Sequence, residues 1–339
     1  MKILTNYRYS ALLGIGHFLT DAIAAFALTT ISLNYINIGI FFVDRFVGLQ
    51  VAGYFFLYNF LAFFMQIFVG YFLDKIKDNQ SFFSKSKNIV LISFVLYIVG
   101  VLFLNYSYIL SILVIGLASC LFHLGGGNIS LLSDKNKATN LGIFASGGVL
   151  GLSFGGFNAV YFPIFIVYIV VCLLIVGLFI QSYKSYEIEL HEKNDYYNLT
   201  KETKNLLAII IFLLCMVLVI RSAIWTNFQM IYILDRWFIF YLAVAAFLGK
   251  ITGGVLEDCI YFKEKYFAVT GLISFVAIFV YSFYFQNIVL LLLGIFLIQI
   301  FVSPITIIIF KLLSEKRSEI IGFTFGMSLV LGFLLLKIT

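Results

Sequence analysis

His17 and Asp21 stand four residues apart in the middle of an apolar run that extends over 9–33. On a helix this spacing puts both side chains on one face, one turn apart. An ionisable group at the centre of a bilayer costs about 3 kcal/mol or more unless water or a partner solvates it. The pair is therefore expected to face a cavity and to bind a proton or a polar solute. A polar clamp between two helices is the structural alternative.

Three further groups sit in apolar runs. Arg221 lies within 206–234, and Trp225 and Gln229 follow it at one-turn intervals, a stripe expected to form a cavity wall. A buried guanidinium needs an anion, and Asp21 is the expected counter-charge. His123 lies within 109–132, just before Leu124-Gly125-Gly126-Gly127-Asn128. That glycine run softens a helix and lets another backbone approach, so a hinge, a kink or a cavity is expected there. A hydrogen bond from His123 to a neighbouring helix is the plainer reading. Lys250, near the end of 237–256, is expected to snorkel toward headgroups.

The run 141–160 holds Gly142, Gly147, Gly148, Gly151, Gly155 and Gly156. Gly147, Gly151 and Gly155 form a smooth face that should pack closely on another helix. Asp74, with Lys75 and Lys77, closes a turn where a carboxylate can bind a helix end in one conformational state; a solvated turn is the alternative.

These residues are positioned by long apolar segments. With 63% hydrophobic and 11% charged residues over 339 positions, a water-soluble fold would leave far too much apolar surface exposed. Runs long enough to cross a bilayer recur at 9–33, 46–73, 88–104, 109–132, 141–160, 161–180, 206–234, 237–256, 266–285, 288–313 and 320–336. The expected fold is an all-α integral membrane protein of about eleven transmembrane helices. The first run is long and lacks a small-residue cleavage site, so it is expected to stay and span.

Lys and Arg collect in alternate connections, such as Lys75 to Lys87, Lys184 to Lys204 and Lys311 to Arg317. The opposite side has Arg45, Arg236 and Lys337. The positive-inside rule then places the amino terminus in the cytoplasm and the chain in the cytoplasmic (inner) membrane. The net charge of +6 is mostly this orientation signal, and nucleic-acid binding is not expected.

Cys120, Cys172, Cys215 and Cys259 have no paired spacing and imply neither a disulfide nor a metal site. No phosphate-binding glycine-lysine loop is present, so no nucleotide or other cofactor is expected. The sequon at Asn198 falls in a connection assigned to the cytoplasm and is read as a chance match.

The polar stretch from Gln181 to Asn205 divides the chain into an N-terminal six-helix bundle (1–183), a central loop (184–204) and a C-terminal five-helix bundle (205–339). Gly70-x-x-x-Asp74 at the end of the second run matches Gly254-x-x-x-Asp258 at the end of the eighth. Leu141-Gly142 likewise matches Ile321-Gly322 at a similar offset, which points to duplication with a shared orientation. Parallel repeats of this kind place a substrate cavity between the halves.

Gly70-x-x-x-Asp74-Lys75, with its degenerate copy at Gly254 to Asp258, resembles the loop signature of the major facilitator superfamily. More narrowly, the chain resembles the fosmidomycin-resistance branch through Gly16-His17-Phe18-Leu19-Thr20-Asp21, Phe122-His123 and Arg221-Ser222. The spacing of Gly142, Gly151, Gly155 and Gly156 is similar to the fifth-helix motif of its drug/proton antiporters. The resemblance implies two pseudo-symmetric bundles, here without the usual last helix, and export rather than uptake.

The expected function is a secondary transporter, not an enzyme. It would work by alternating access as a proton-coupled exporter of drug-like or anionic compounds. Its substrate and coupling residues would be His17, Asp21, His123, Arg221, Trp225 and Gln229. Its gating residues would be Gly70, Asp74, Lys75, Gly254, Asp258 and the glycines of the fifth run. Its partners would be a small solute, protons and lipid, and a monomer is expected. Two other readings are an intramembrane lipid (prenyl) transferase, with Asp74 and Asp78 holding magnesium, and a non-transporting solute receptor.

Overall fold

The computed structural model describes residues 7–38, 45–76, 78–132, 137–161, 163–182, 201–231, 236–259, 288–313, 316–327 and 330–331, without the side chains of 36–38, 45–49, 79, 161, 201–207, 226–231, 236, 290 and 327. The described residues form helices and turns with no strand among them. The first span is Arg8–Ile38. The second runs through Arg45–Asn59, a π-turn at Phe60–Phe64 and Met65–Leu73. Four more follow at Asn79–Phe103, Tyr108–Leu132, Ala138–Tyr161 and Phe165–Ser182.

In the C-terminal half, the seventh and eighth spans are Lys201–Ile231 and Arg236–Cys259. The tenth is broken between Ile288–Gln299 and Val302–Leu312. The eleventh opens with Arg317–Ile321 and a π-turn, Gly322–Met327. The run 266–285 lies outside the described residues. Among the described residues, nine helices are long and apolar enough to cross a membrane.

Of the boundaries that differ from the sequence expectation, two have a clear local cause. The third span begins at Asn79 rather than near 88, because the Asp78 carboxylate accepts the Ser81 amide at 2.8 Å and starts the helix in its polar flank. The seventh takes in Lys201 to Lys204, expected in the central loop, since these good helix formers extend the apolar run backward.

Packing follows the glycines. A Cβ on Gly147, Gly151 or Gly155 would collide with the backbone carbonyls of Gly14, Phe18 and Ala22, so the fifth span lies directly on the first. The same span reaches the other half: a Cβ on Gly142 would stand 2.6 Å from the Lys250 carbonyl. Symmetrically, a Cβ on Gly322 of the eleventh span would stand 2.8 Å from the Gln66 backbone of the second. The sixth span shows apolar side chains outward, Leu178 at 71% exposure, as a lipid-facing helix should.

Candidate functional site

The first span places His17 and Asp21, and the fourth places His123, in one buried cluster. The two Nε2 atoms of the histidines are 3.0 Å apart. Asp21 Oδ2 lies 3.3 Å from His17 Nε2, and Asp21 Oδ1 lies 3.8 Å from His123 Nε2. On their far sides, His17 Nδ1 donates to the Phe144 carbonyl at 2.8 Å and His123 Nδ1 to the Ser119 carbonyl at 2.7 Å. A carbonyl oxygen only accepts, so both Nδ1 atoms carry hydrogen. The Ser119 hydroxyl, at 3.2 Å, is farther from His123 Nδ1 than the carbonyl is.

Neutral rings held in this tautomer turn two bare nitrogens toward each other. Beside them Asp21 Oδ1 is buried and accepts no hydrogen bond. Lone pairs converging on one point repel, and a cation placed among them relieves the repulsion. Packing holds the rings in place: Phe144 stacks on His17 at 4.6 Å, and Phe63 meets His123 edge-on at 5.5 Å. Gly148 closes the roof, because a Cβ there would fall on Asp21 Oδ2 and His17 Nε2.

The other half contributes cations. Arg221 is buried and donates from Nη1 to Gln299 Oε1 at 3.0 Å and from Nη2 to Ser222 Oγ at 2.7 Å, while its Nε has no partner. Among the described residues it makes no ion pair, so the expected Asp21 to Arg221 contact is not formed; the carboxylate stands beside the two histidine rings instead. The expectation for Lys250 also fails. Its side chain is buried and turns inward, Nζ donating to the Ala145 carbonyl of the fifth span at 2.9 Å. From there it interacts electrostatically with Arg221, Asp21 and His123. Trp225 is buried in an apolar cluster with Val149, Phe238 and Leu242. The Gln229 side chain lies outside the described residues.

At one end of the bundle, each half caps a helix of the other. Asp74 accepts the amides of Ser318 and Glu319 at 2.8 and 2.9 Å, at the start of the eleventh span. Asp258 accepts those of Ala138 and Thr139 at 2.9 and 3.0 Å, at the start of the fifth, together with the Thr139 hydroxyl. A helix amino terminus presents free amides and positive potential, so carboxylates bind there. Gly70 and Gly254 permit the approach: a Cβ on Gly70 would stand 2.7 Å from Ser318, and one on Gly254 would stand 2.6 Å from the Ala138 carbonyl. Burial pushes the Asp74 carboxyl above its usual range, against the pull of the two amides. Lys75 turns to its own helix, Nζ 4.6 Å over the Tyr71 ring.

These caps speak against the transferase reading. Asp74 is spent on the eleventh span and Asp78 on the third, so the two carboxylates do not converge on a metal. Gly148, Lys250 and Gln299 are site residues that sequence reasoning undervalued. For Lys250 and Gln299 the signal was present, a charge and an amide inside apolar runs. For Gly148 nothing separates it from the neighbouring glycines until the fold puts His17 beneath it.

No protein-family model matches the chain. No curated relative matches it. Solved structures do. The fucose:proton symporter FucP of E. coli aligns with TM-score 0.63 at 14% identity, over 98% of this chain and 91% of that one. FucP, a Major Facilitator Superfamily transporter, in the outward conformation gives 0.65 at 15% identity over the same shares. A bacterial homologue of the iron transporter ferroportin, in an outward-facing state, gives 0.52 at 15% identity, over 97% and 91%. The chain is thus an all-α, multi-pass membrane protein with the major facilitator fold.

Proposed function

We propose that the chain is a secondary active transporter of the cytoplasmic membrane, exporting a small drug-like or anionic solute in exchange for a cation, first of all the proton. The observation that carries this reading is the pairing of opposite demands at the centre of the bundle. His17, Asp21 and His123 call for a cation, and Arg221 and Lys250, buried on the facing half, call for an anion. Coupling through electrostatics follows: filling one site changes the field at the other, and the effect is reciprocal.

The two bundles, 1–183 and 205–339, rock about the centre. The caps at Asp74 and Asp258 hold one end shut, and Gly70, Gly254 and Gly142 give the close contacts from which the halves separate, while Gly147, Gly151, Gly155 and Gly156 keep the fifth span on the first. With that end cytoplasmic, as the Lys and Arg distribution argues, the caps close the inner side, which fits the outward state named for FucP and the ferroportin homologue. The protein acts as a monomer with its amino terminus inside.

The test is solute-driven proton movement in liposomes holding the purified protein, over a panel of small drugs and organic acids. Movement through the native protein that Asp21→Asn abolishes is the expected result. Solutes that bind without moving protons or themselves would overturn transport in favour of a solute receptor.

A further inference from the structure

We infer that His17, Asp21 and His123 form a binding site for a divalent first-row transition-metal ion. This deepens the reading above, on which it rests for the site's role in transport, by naming a second cation that competes with the proton.

Three independent features support it. The first is spacing. Tetrahedral ligands about 2.0–2.1 Å from zinc stand about 3.3 Å from one another. The closest approaches here are 3.0 Å between the nitrogens and 3.3 and 3.8 Å from the carboxylate to each. The second is tautomer. Metal-ligating imidazoles usually give their other N–H to a carbonyl or carboxylate, which fixes the free nitrogen toward the metal. Phe144 and Ser119 supply those carbonyls. The third is the orphan. Asp21 Oδ1, on a side chain more than nine-tenths buried, accepts no hydrogen bond and is turned toward the histidines.

The ligand set selects the metal. Two imidazoles and one carboxylate suit zinc, iron, cobalt or nickel, whereas magnesium and calcium need more oxygens than Asp21 alone offers. Three protein ligands leave a fourth position open, the pattern of sites that exchange a ligand. Lys250 is a cation that acts electrostatically on His123, and its ammonium donates to the Ala145 carbonyl rather than to the cluster. Two neutral imidazoles and one carboxylate leave a bound dication with a net positive charge, so an anion is the favoured fourth ligand.

The test uses the full chain in detergent with its purification tag removed, titrated with Co2+ and read by its visible ligand-field bands. One equivalent of tetrahedral Co2+ is expected, displaced by Zn2+ and indifferent to excess Mg2+. His123→Gln and Asp21→Asn should weaken binding by more than the roughly 10–100-fold that loss of an outer-shell partner costs. His191→Ala, in the central segment, should leave the bands unchanged. Each variant is accepted only with a native elution profile and melting temperature. Should His123→Gln fail this check, Ser119→Ala, which leaves the ligands in place, should keep the bands. No bands, bands that survive loss of both His17 and His123, or a sulfur-to-cobalt band marking cysteine, each overturns the site.

Proton flux in liposomes separates the two readings. Flux that persists with no Co2+ bound leaves the transporter and removes the metal site. Bound Co2+ in a protein that moves nothing leaves the metal site and removes the transporter.

Discussion

The centres of the two halves solve the same problem in opposite ways. Both bury ionisable groups among apolar helices, where an unmet charge is costly. In the first half the groups share one point: two ring nitrogens and a carboxylate meet, each ring fixed from behind by a backbone carbonyl. In the second half the cations are spread. Arg221 leans on Gln299 and Ser222, Lys250 reaches across to Ala145, and no carboxylate joins either among the described residues. The lesson is that a convergent site is selective for a small ion, and a dispersed pair of cations suits a larger anion able to bridge them.

The comparison breaks most readily by exchanging charge. Asp21→Asn should abolish proton-coupled flux while anionic solutes still bind, and Arg221→Gln should do the reverse, losing solute binding by about a hundredfold or more, near 3 kcal/mol. Flux and equilibrium binding measured on both variants check this, and a common loss of both activities would show that the two centres are not separate.

Next in size is Gly148→Ala. Its methyl lands on Asp21 and His17 and should cost about 1–3 kcal/mol as overpacking, seen as a lower melting temperature and lost proton coupling. Ala145→Gly, on the same span beside the second centre, should spare coupling.

Lys250→Met should weaken anion binding about tenfold, or about 1.4 kcal/mol. A neutral chain of similar length keeps the packing, so titration of the variant with the same solute isolates the charge. Smallest is Gln299→Ala, which removes one hydrogen bond to Arg221, worth about 1 kcal/mol or less. An effect larger than that of Lys250→Met would make Gln299 a solute contact in its own right.

Much of this was legible in the sequence, for identifiable reasons. Apolar length announces spans, and the His17 to Asp21 spacing announces a shared face, because both depend on neighbours in the chain. The repeated Gly-x-x-x-Asp marked both caps. Which helix each would cap was hidden, since Asp74 meets Ser318 and Asp258 meets Thr139 only once distant parts of the chain have packed together. Asp21 and Arg221 were matched by charge alone. In the fold His123 is nearer, its Nε2 3.8 Å from the carboxylate, and a neutral histidine carries no charge by which the sequence could announce the meeting. Lys250 was judged by its distance along the helix from the membrane surface, although its direction around the helix is what turns it inward.

The seam between the first and fifth spans has a mechanical consequence. Gly147, Gly151 and Gly155 nest against the carbonyls of Gly14, Phe18 and Ala22, one contact in every four residues along both helices. Such a seam is toothed: a shift of less than one tooth, about 6 Å along the axis, would drive carbonyl oxygens into Cα atoms. On the proposed rocking of the halves, the two helices would therefore travel as a single plank, with His17 keeping its place under Gly148.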